Sequence, residues 1–348
     1  MSEHPGPSAP VLAAQALAGT RRAGPALEGM ECLVLGAGGF IGTNLCRALS
    51  AAGGSVHGYG RAPTFSAALP PIRWTAAEFS DHARLAAALE GVCTVFHLLG
   101  ASFPADAERD PAEDLRTNVA ASIDLIALCR AAGVRRIVFI SSGGTVYGVP
   151  RCLPISETHP TDPISAYGIH KLLVEKHLGL QAYRHGLQVV VLRVANPYGP
   201  FQIPDRGQGL IAALIRRRLS GRPVEVWGDG RVVRDFLHVD DLVDAMLRAV
   251  SYEGPHSVLN VGSGIGRSVL EVIASVNDVL GTGNAEILYR PGRAVDVPAN
   301  VLDVSLIQRE LGWVAQTEWM QGLRGTAEWI AGACKPALQG LGGAEPPR

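Results

Sequence analysis

From Met30 onward, short apolar runs alternate with longer stretches in which apolar residues recur every three or four positions. That is the pattern of strands buried on both faces between amphipathic helices. "ECLVL" predicts a first strand, "GAGG" a tight turn, and "FIGTNLCRALSAAGG" a helix closed by glycine. "SVHGYGR", "CTVFHLLG", "VRRIVFISS" and "LQVVVLRV" predict further strands. "DHARLAAALEG", "PAEDLRTNVAASIDLIALCRAAG" and "ISAYGIHKLLVEKHLGLQAYRHG" predict the helices between them. Repeated βα units imply an α/β, doubly wound parallel sheet that binds its ligands at the carboxyl ends of the strands.

Past Pro200 the alternation stops. "GLIAALIRRRLSG", "DDLVDAMLRAV", "SVLEVIASVNDVLG" and "TEWMQGLRGTAEWIAG" predict helices, and "PVEVWGDGRVVRDFLHV" a hairpin turning at Gly228-Asp229-Gly230. The expected organisation is a flexible leader over 1–29, a dinucleotide-binding domain over 30–200 to which some later segments return, a smaller mixed α/β lobe over 201–333 lying over the strand ends, and a loose tail over 334–348.

Composition narrows the class. A chain of 348 residues, 47% hydrophobic, can bury more than one core, and a formal net charge of -1 without a long basic block excludes electrostatic nucleic-acid binding. Six scattered cysteines with no C-x-x-C pair read as free thiols of a reducing, cytoplasmic compartment, and the dispersed histidines show no metal-ligand spacing. No apolar run is long enough to span a bilayer.

Two stretches carry chemistry. "GAGGFIG" places Gly36, Gly39 and Gly42 between a strand and a helix, where glycine allows a tight turn and a close approach of a pyrophosphate to the helix N-terminus. Strand two ends at Tyr59-Gly60-Arg61, so the acid that would hold an NAD ribose is missing and a cation follows, which leaves NADP open beside NAD. Tyr167 and Lys171 are one helical turn apart and share a face. A nearby ammonium and an oxidised nicotinamide both favour phenolate, which can take a hydroxyl proton as hydride leaves the same carbon.

From Glu31 to about Trp329 these features resemble the extended short-chain dehydrogenase/reductase family, with its Rossmann-type fold, and within it the NAD-dependent sugar-nucleotide epimerases and dehydratases. The resemblance implies that Gly36, Gly39, Phe40, Ile41 and Gly42 bind the cofactor pyrophosphate. It implies that Glu78 and Phe79 in "AEFSD" lie at the adenine, that Leu98 and Leu99 in "FHLLG" run past the cofactor, that Tyr167 and Lys171 face it, and that Asn118 is structural or cofactor-facing; Arg61, just past strand two, is a further cofactor-binding candidate. "LRVANPYGP" implies a sugar-diphosphate contact by Asn196, "WGDGRVVRDFLHVDD" one by Arg234, and "RPGRAVDV" contacts by Arg293 and Asp296. "LNVGSG" is a landmark of the second lobe. The family also dimerises through the two helices that include Asn118 and Tyr167.

In "FISSGGTVYG" the family's catalytic Ser or Thr falls on Gly143, so Ser142 and Thr145 are the candidate hydroxyl partners of Tyr167, with Thr145 favoured. Dehydratases of this family need an acid pair here, which Gly144-Thr145 cannot supply. The resemblance therefore implies a sugar-nucleotide 4-epimerase, UDP-glucose 4-epimerase-like, that oxidises C4 transiently. An NAD(P)-dependent keto-sugar reductase or dehydrogenase is the second reading, and a non-catalytic nucleotide-binding regulator the third.

Overall fold

The continuous apolar runs lie side by side in the middle of a parallel sheet. The computed structural model describes residues 27–100, 104–203, 209–284, 286–292 and 297–339. Its strands are β1 (Glu31–Leu35), β2 (Ser55–Gly60), β3 (Arg73–Ala76), β4 (Thr94–His97), β5 (Arg136–Ser142), β6 (Gln188–Val194), β7 (Asn196–Tyr198), β8 (Val224–Trp227), β9 (Val233–His238), β10 (Val258–Val261), β11 (Gly266–Ser268), β12 (Ile287–Arg290) and β13 (Ala299–Asn300). Seven form the main sheet in the order β10-β6-β5-β4-β1-β2-β3, all parallel. Two of them extend the sequence reading: β3 is short and poor in aliphatics, and "LNV" of the "LNVGSG" landmark is the edge strand β10 rather than part of the second lobe.

Side-chain alternation fills a core on each face of the sheet. Cys32 and Val34 join Phe96, Val138 and Leu192 beneath the helices Phe40–Ala51 and Val239–Ala249. Leu33 and Leu35 join Val95, Ile137 and Phe139 beneath the helices His82–Ala88, Ala121–Ala131 and Ala166–His185. Local signals set the helix ends. Ser165 accepts a hydrogen bond from the Gly168 N–H at 3.1 Å, and Gly186 closes the same helix at φ +68°.

The predicted helix over 111–133 forms as far as Ala131, but with a change of winding: α over Pro111–Asp114, π over Leu115–Ala120, then α over Ala121–Ala131. Asn118 sits inside the widened turn. The predicted hairpin at Gly228-Asp229-Gly230 does not form. Both glycines turn the chain at positive φ, but β8 pairs in parallel with β12, while β9 pairs with β7, β11 and β13 in another sheet. The last helix, Trp319–Gln339, runs past the expected start of the tail.

The smaller lobe has its own core, in which Leu214, Val226, Val272, Leu323 and Ile330 meet. It closes on the carboxyl ends of the large sheet. Asn300 Nδ2 donates to the Gly143 carbonyl at 3.0 Å, and Ile155 bridges Leu302. The "VGSG" loop after β10 docks on buried Asp235, which accepts from Ser263 N at 2.8 Å, Ser263 Oγ at 2.7 Å and Gly264 N at 3.1 Å. No helix among the described residues is long and apolar enough to cross a membrane.

Candidate active site

The glycine turn stands at the topological switch of the sheet, since from β1 the chain first builds outward through β2 and β3 and then returns to β4 on the other side. Gly36 holds φ +83°, and Gly39 begins the helix with no side-chain cap, so its first N–H groups point outward unshielded. A Cβ on Gly42 would lie 2.2 Å from the Gly36 carbonyl oxygen, so helix and turn touch there only because the residue is glycine. This is a fitting cradle for a dinucleotide pyrophosphate. Leu98 and Leu99 line it, within 3.5 Å of where a Gly36 side chain would begin. Phe40 and Ile41 turn toward the core instead and are half-buried.

Farther along the same edge, Arg61 is exposed just past β2, Phe79 is half-buried and Glu78 is exposed. Buried Tyr59 donates to the Glu78 carbonyl at 3.0 Å and so fixes the course of the "AEFSD" segment.

Tyr167 and Lys171 project from the first turns of the Ala166–His185 helix into a cavity lined by Leu99, Gly100, Asp114, Asn118 and Phe139. The Lys171 ammonium donates to the Ile140 carbonyl at 3.0 Å and lies 4.9 Å from the Phe139 ring centroid and 5.8 Å from that of Tyr167. Burial lowers it to about 8, partly offset by Asp114 and Glu175. Burial and Asp114 push the Tyr167 phenol up to about 12. Burial and the Asp114 carboxylate thus both favour the neutral phenol.

His97, fully buried at the end of β4, is pushed down to about 3 by burial and by the charge of Lys171. Ser122 donates to the Asn118 carbonyl at 2.5 Å, so the Nε2–H of neutral His97 donates to Ser122 at 2.8 Å. That chain braces the π turn against the sheet.

The two hydroxyl candidates differ. Thr145 Oγ1 is buried without a hydrogen-bond partner, whereas Ser142 is half-buried at the end of β5. A Cβ on Gly143 would come within 2.6 Å of Leu302 Cδ1 and 3.1 Å of the Arg193 carbonyl, so a side chain there would have to displace Leu302. Gly144 is open, with only Ser142 Oγ at 3.8 Å from a Cβ.

From the second lobe, Asn196 donates to the Asp235 carbonyl at 2.9 Å. Arg234 Nη1 donates to the carbonyls of Val233 at 2.9 Å and Val297 at 2.8 Å. Arg293 and Asp296 lie outside the described residues.

Several residues of this region carry no assignment from sequence. Asp114 and His170 pair beside the cavity, although "YGIHK" contains the histidine. Behind the site, buried Glu175 accepts from Arg193 Nη2 at 2.7 Å and from Ser141, and Arg193 covers the Tyr147 ring at 4.8 Å. Tyr147 donates to Asn260 at 2.7 Å. This network ties β5, β6 and β10 together under the active loop. Its signal in sequence was a charged residue inside each of two apolar patterns. Among the described residues no group of His, Cys, Asp and Glu could hold a metal ion.

Comparison with known proteins agrees with the geometry. The profile of the NAD dependent epimerase/dehydratase family matches residues 32–262, more than half of the chain. The UDP-glucose 4-epimerase of Mycolicibacterium smegmatis is 33% identical over 312 residues, covering 86% of this chain and 98% of that protein. Thermotoga maritima UDP-glucose 4-epimerase, solved with UDP-glucose, has a TM-score of 0.84 at 32% identity, covering 88% of this chain and 100% of that one. Thermus thermophilus UDP-glucose 4-epimerase, solved with NAD, has a TM-score of 0.81 at 30% identity, covering 87% and 100%. With the glycine cradle, the Tyr167–Lys171 pair and this likeness along nearly the whole fold, the chain belongs to the NAD dependent epimerase/dehydratase family.

Proposed function

We propose that the chain is an NAD-dependent sugar-nucleotide 4-epimerase, an isomerase acting on a UDP-hexose or a derivative of one. The observation that carries this reading is the Tyr167–Lys171 pair on one cavity, together with Gly144-Thr145, which stand where an eliminating enzyme keeps its acid pair. Relatives named UDP-glucose 4-epimerase, including those solved with UDP-glucose and with NAD, support it.

When bound, NAD supplies a reversible hydride acceptor. Gly36, Gly39 and Gly42 would hold its pyrophosphate, with Leu98, Leu99 and Asn118 beside the cofactor and Glu78 and Phe79 toward its adenine. Tyr167 takes the proton of the C4 hydroxyl, Lys171 and the positive charge that a bound oxidised cofactor would supply both favouring its phenolate, and returns it after the keto sugar has turned in the pocket. Thr145 Oγ1 gives its unmade hydrogen bond to the sugar oxygen. Asn196, Arg234, Arg293 and Asp296 hold the nucleotide diphosphate.

The protein is proposed to work as a cytoplasmic homodimer. Ile169, Leu173, Leu180 and Tyr183 form an exposed row on the Ala166–His185 helix, with Tyr183 90% exposed. Substitution of Leu173 and Tyr183 by Asp should leave a monomer in light scattering; an unchanged mass would reject this interface. The free thiols of Cys32, Cys46, Cys93, Cys129 and Cys152 suit a reducing compartment.

The central test is incubation of the purified protein with UDP-hexoses and no added reductant. Epimer should form with no net change in reduced-nicotinamide absorbance, and Tyr167→Phe should abolish it. Exposed Arg61 after Gly60 favours the second reading, a keto-sugar reductase, which would instead turn over only with added NADPH and a keto sugar.

A further inference from the structure

One buried hydrogen-bonded pair at the cavity, Asp114 and His170, has no part in the scheme above. The π turn at Leu115–Ala120 widens the helix where it packs on the helix carrying Tyr167, and Asp114 stands at its start, only 5% exposed. Both oxygens of Asp114 are used. Oδ1 accepts from Asn118 Nδ2 at 2.6 Å, and Oδ2 accepts from Nδ1–H of His170, itself buried and immediately preceding Lys171. Asp114, Asn118, His170, Tyr167 and Lys171 all line one cavity.

We propose that Asp114, held by His170 and Asn118, is the positioning group that sets the ionisation of the Tyr167–Lys171 pair and keeps the phenol protonated until a positively charged ligand enters. The inference rests on the epimerase reading for its purpose, not for its test. Geometry and charge agree: a carboxylate held rigid by two donors in a poorly solvated site opposes a second anion nearby and favours a cation. Asp114 correspondingly pushes both Tyr167 and Lys171 upward. The other titratable and charged groups around it come from every packed element. They are Glu175 on the helix of His170; Glu108 and Arg109 on the neighbouring helix Pro104–Arg109; Glu113 and Arg116, paired at 2.8 Å; and His97 from β4. Asp114 shares one cavity with both Tyr167 and Lys171. An idle Tyr167 that stays neutral leaves phenolate formation to ligand entry.

The experiment is a phenolate absorbance titration of the protein stripped of dinucleotide, with the Tyr167→Phe trace subtracted so that only Tyr167 is read. Asp114→Asn keeps the shape and removes the charge, and should lower the Tyr167 midpoint by about 1 pH unit. His170→Ala should displace the midpoint from the wild-type value and lower kcat about tenfold with KM for the sugar nucleotide unchanged. His170→Asn, which offers an amide N–H where Nδ1–H stood, should restore both. A wild-type midpoint in Asp114→Asn, or in His170→Ala, would overturn the proposal. The titration needs no substrate, so a failed epimerase assay and a failed ionisation role are told apart.

Discussion

Leu302 fills the space that a side chain at position 143 would occupy, its Cδ1 lying 2.6 Å from where a Gly143 Cβ would be built. Leu302 is fully buried and comes from the smaller lobe, so contact between the lobes opposes a side chain at position 143. Gly143→Ser should therefore fail to restore a serine enzyme and should lose about 1–3 kcal/mol of stability through overpacking. Combined with Leu302→Ala, the two losses should be less than additive, because the cavity of one accommodates the other. Chemical denaturation of the single and double variants checks this.

Thr145→Val keeps the volume and removes a buried hydroxyl that has no partner. It should leave stability within about 0.5 kcal/mol and lower kcat at least about 100-fold. Ser142→Ala should cost less than about tenfold. A larger loss for Ser142→Ala than for Thr145→Val would reverse the assignment.

The buried lysine has a signature in stability against pH. The Lys171 ammonium titrates near 8 in the folded protein but near ~10.4 when unfolded. Between those values the unfolded chain binds more protons, so stability rises with pH across the window. Lys171→Met should remove that rise in denaturant melts of the dinucleotide-free protein. Tyr167, raised to about 12 from about 10, acts oppositely: its contribution is present below pH ~10 and lost toward 12.

His97 gives the acid side. Folded, it resists protonation down to about 3, while the unfolded imidazole protonates near ~6.5. Its contribution is complete above pH ~6.5 and falls as the pH drops toward 3. His97→Gln, whose amide can still donate to Ser122, should flatten that part of the acid unfolding curve.

Glu175 and Arg193 form a buried pair whose side chains are 3% and 5% exposed. Glu175→Gln leaves the guanidinium uncompensated and should destabilise the protein by about 3–5 kcal/mol. The Tm should fall whether or not substrate or cofactor is present.

Much of this could be read along the chain. The alternation of apolar runs with helical periods specifies a parallel sheet, because only a strand buried on both faces lacks polar positions. The spacing of Gly36, Gly39 and Gly42 and the one-turn interval from Tyr167 to Lys171 specify a cradle and a shared face through local geometry alone. Contacts between distant segments were a different matter. "PVEVWGDGRVVRDFLHV" has the local form of a hairpin, yet β8 and β9 part because β12, β7 and β13 offer each strand a different partner. β10 returned to the first sheet for the same reason. Only the packed structure could decide that a side chain at position 143 would meet Leu302, that Thr145 has an unused hydroxyl, and that Asp114 meets His170 across 56 residues of sequence. A sequence sets what each segment prefers by itself, whereas the burial that moves a phenol to about 12 and a lysine to about 8 arises only when segments far apart exclude water from one another.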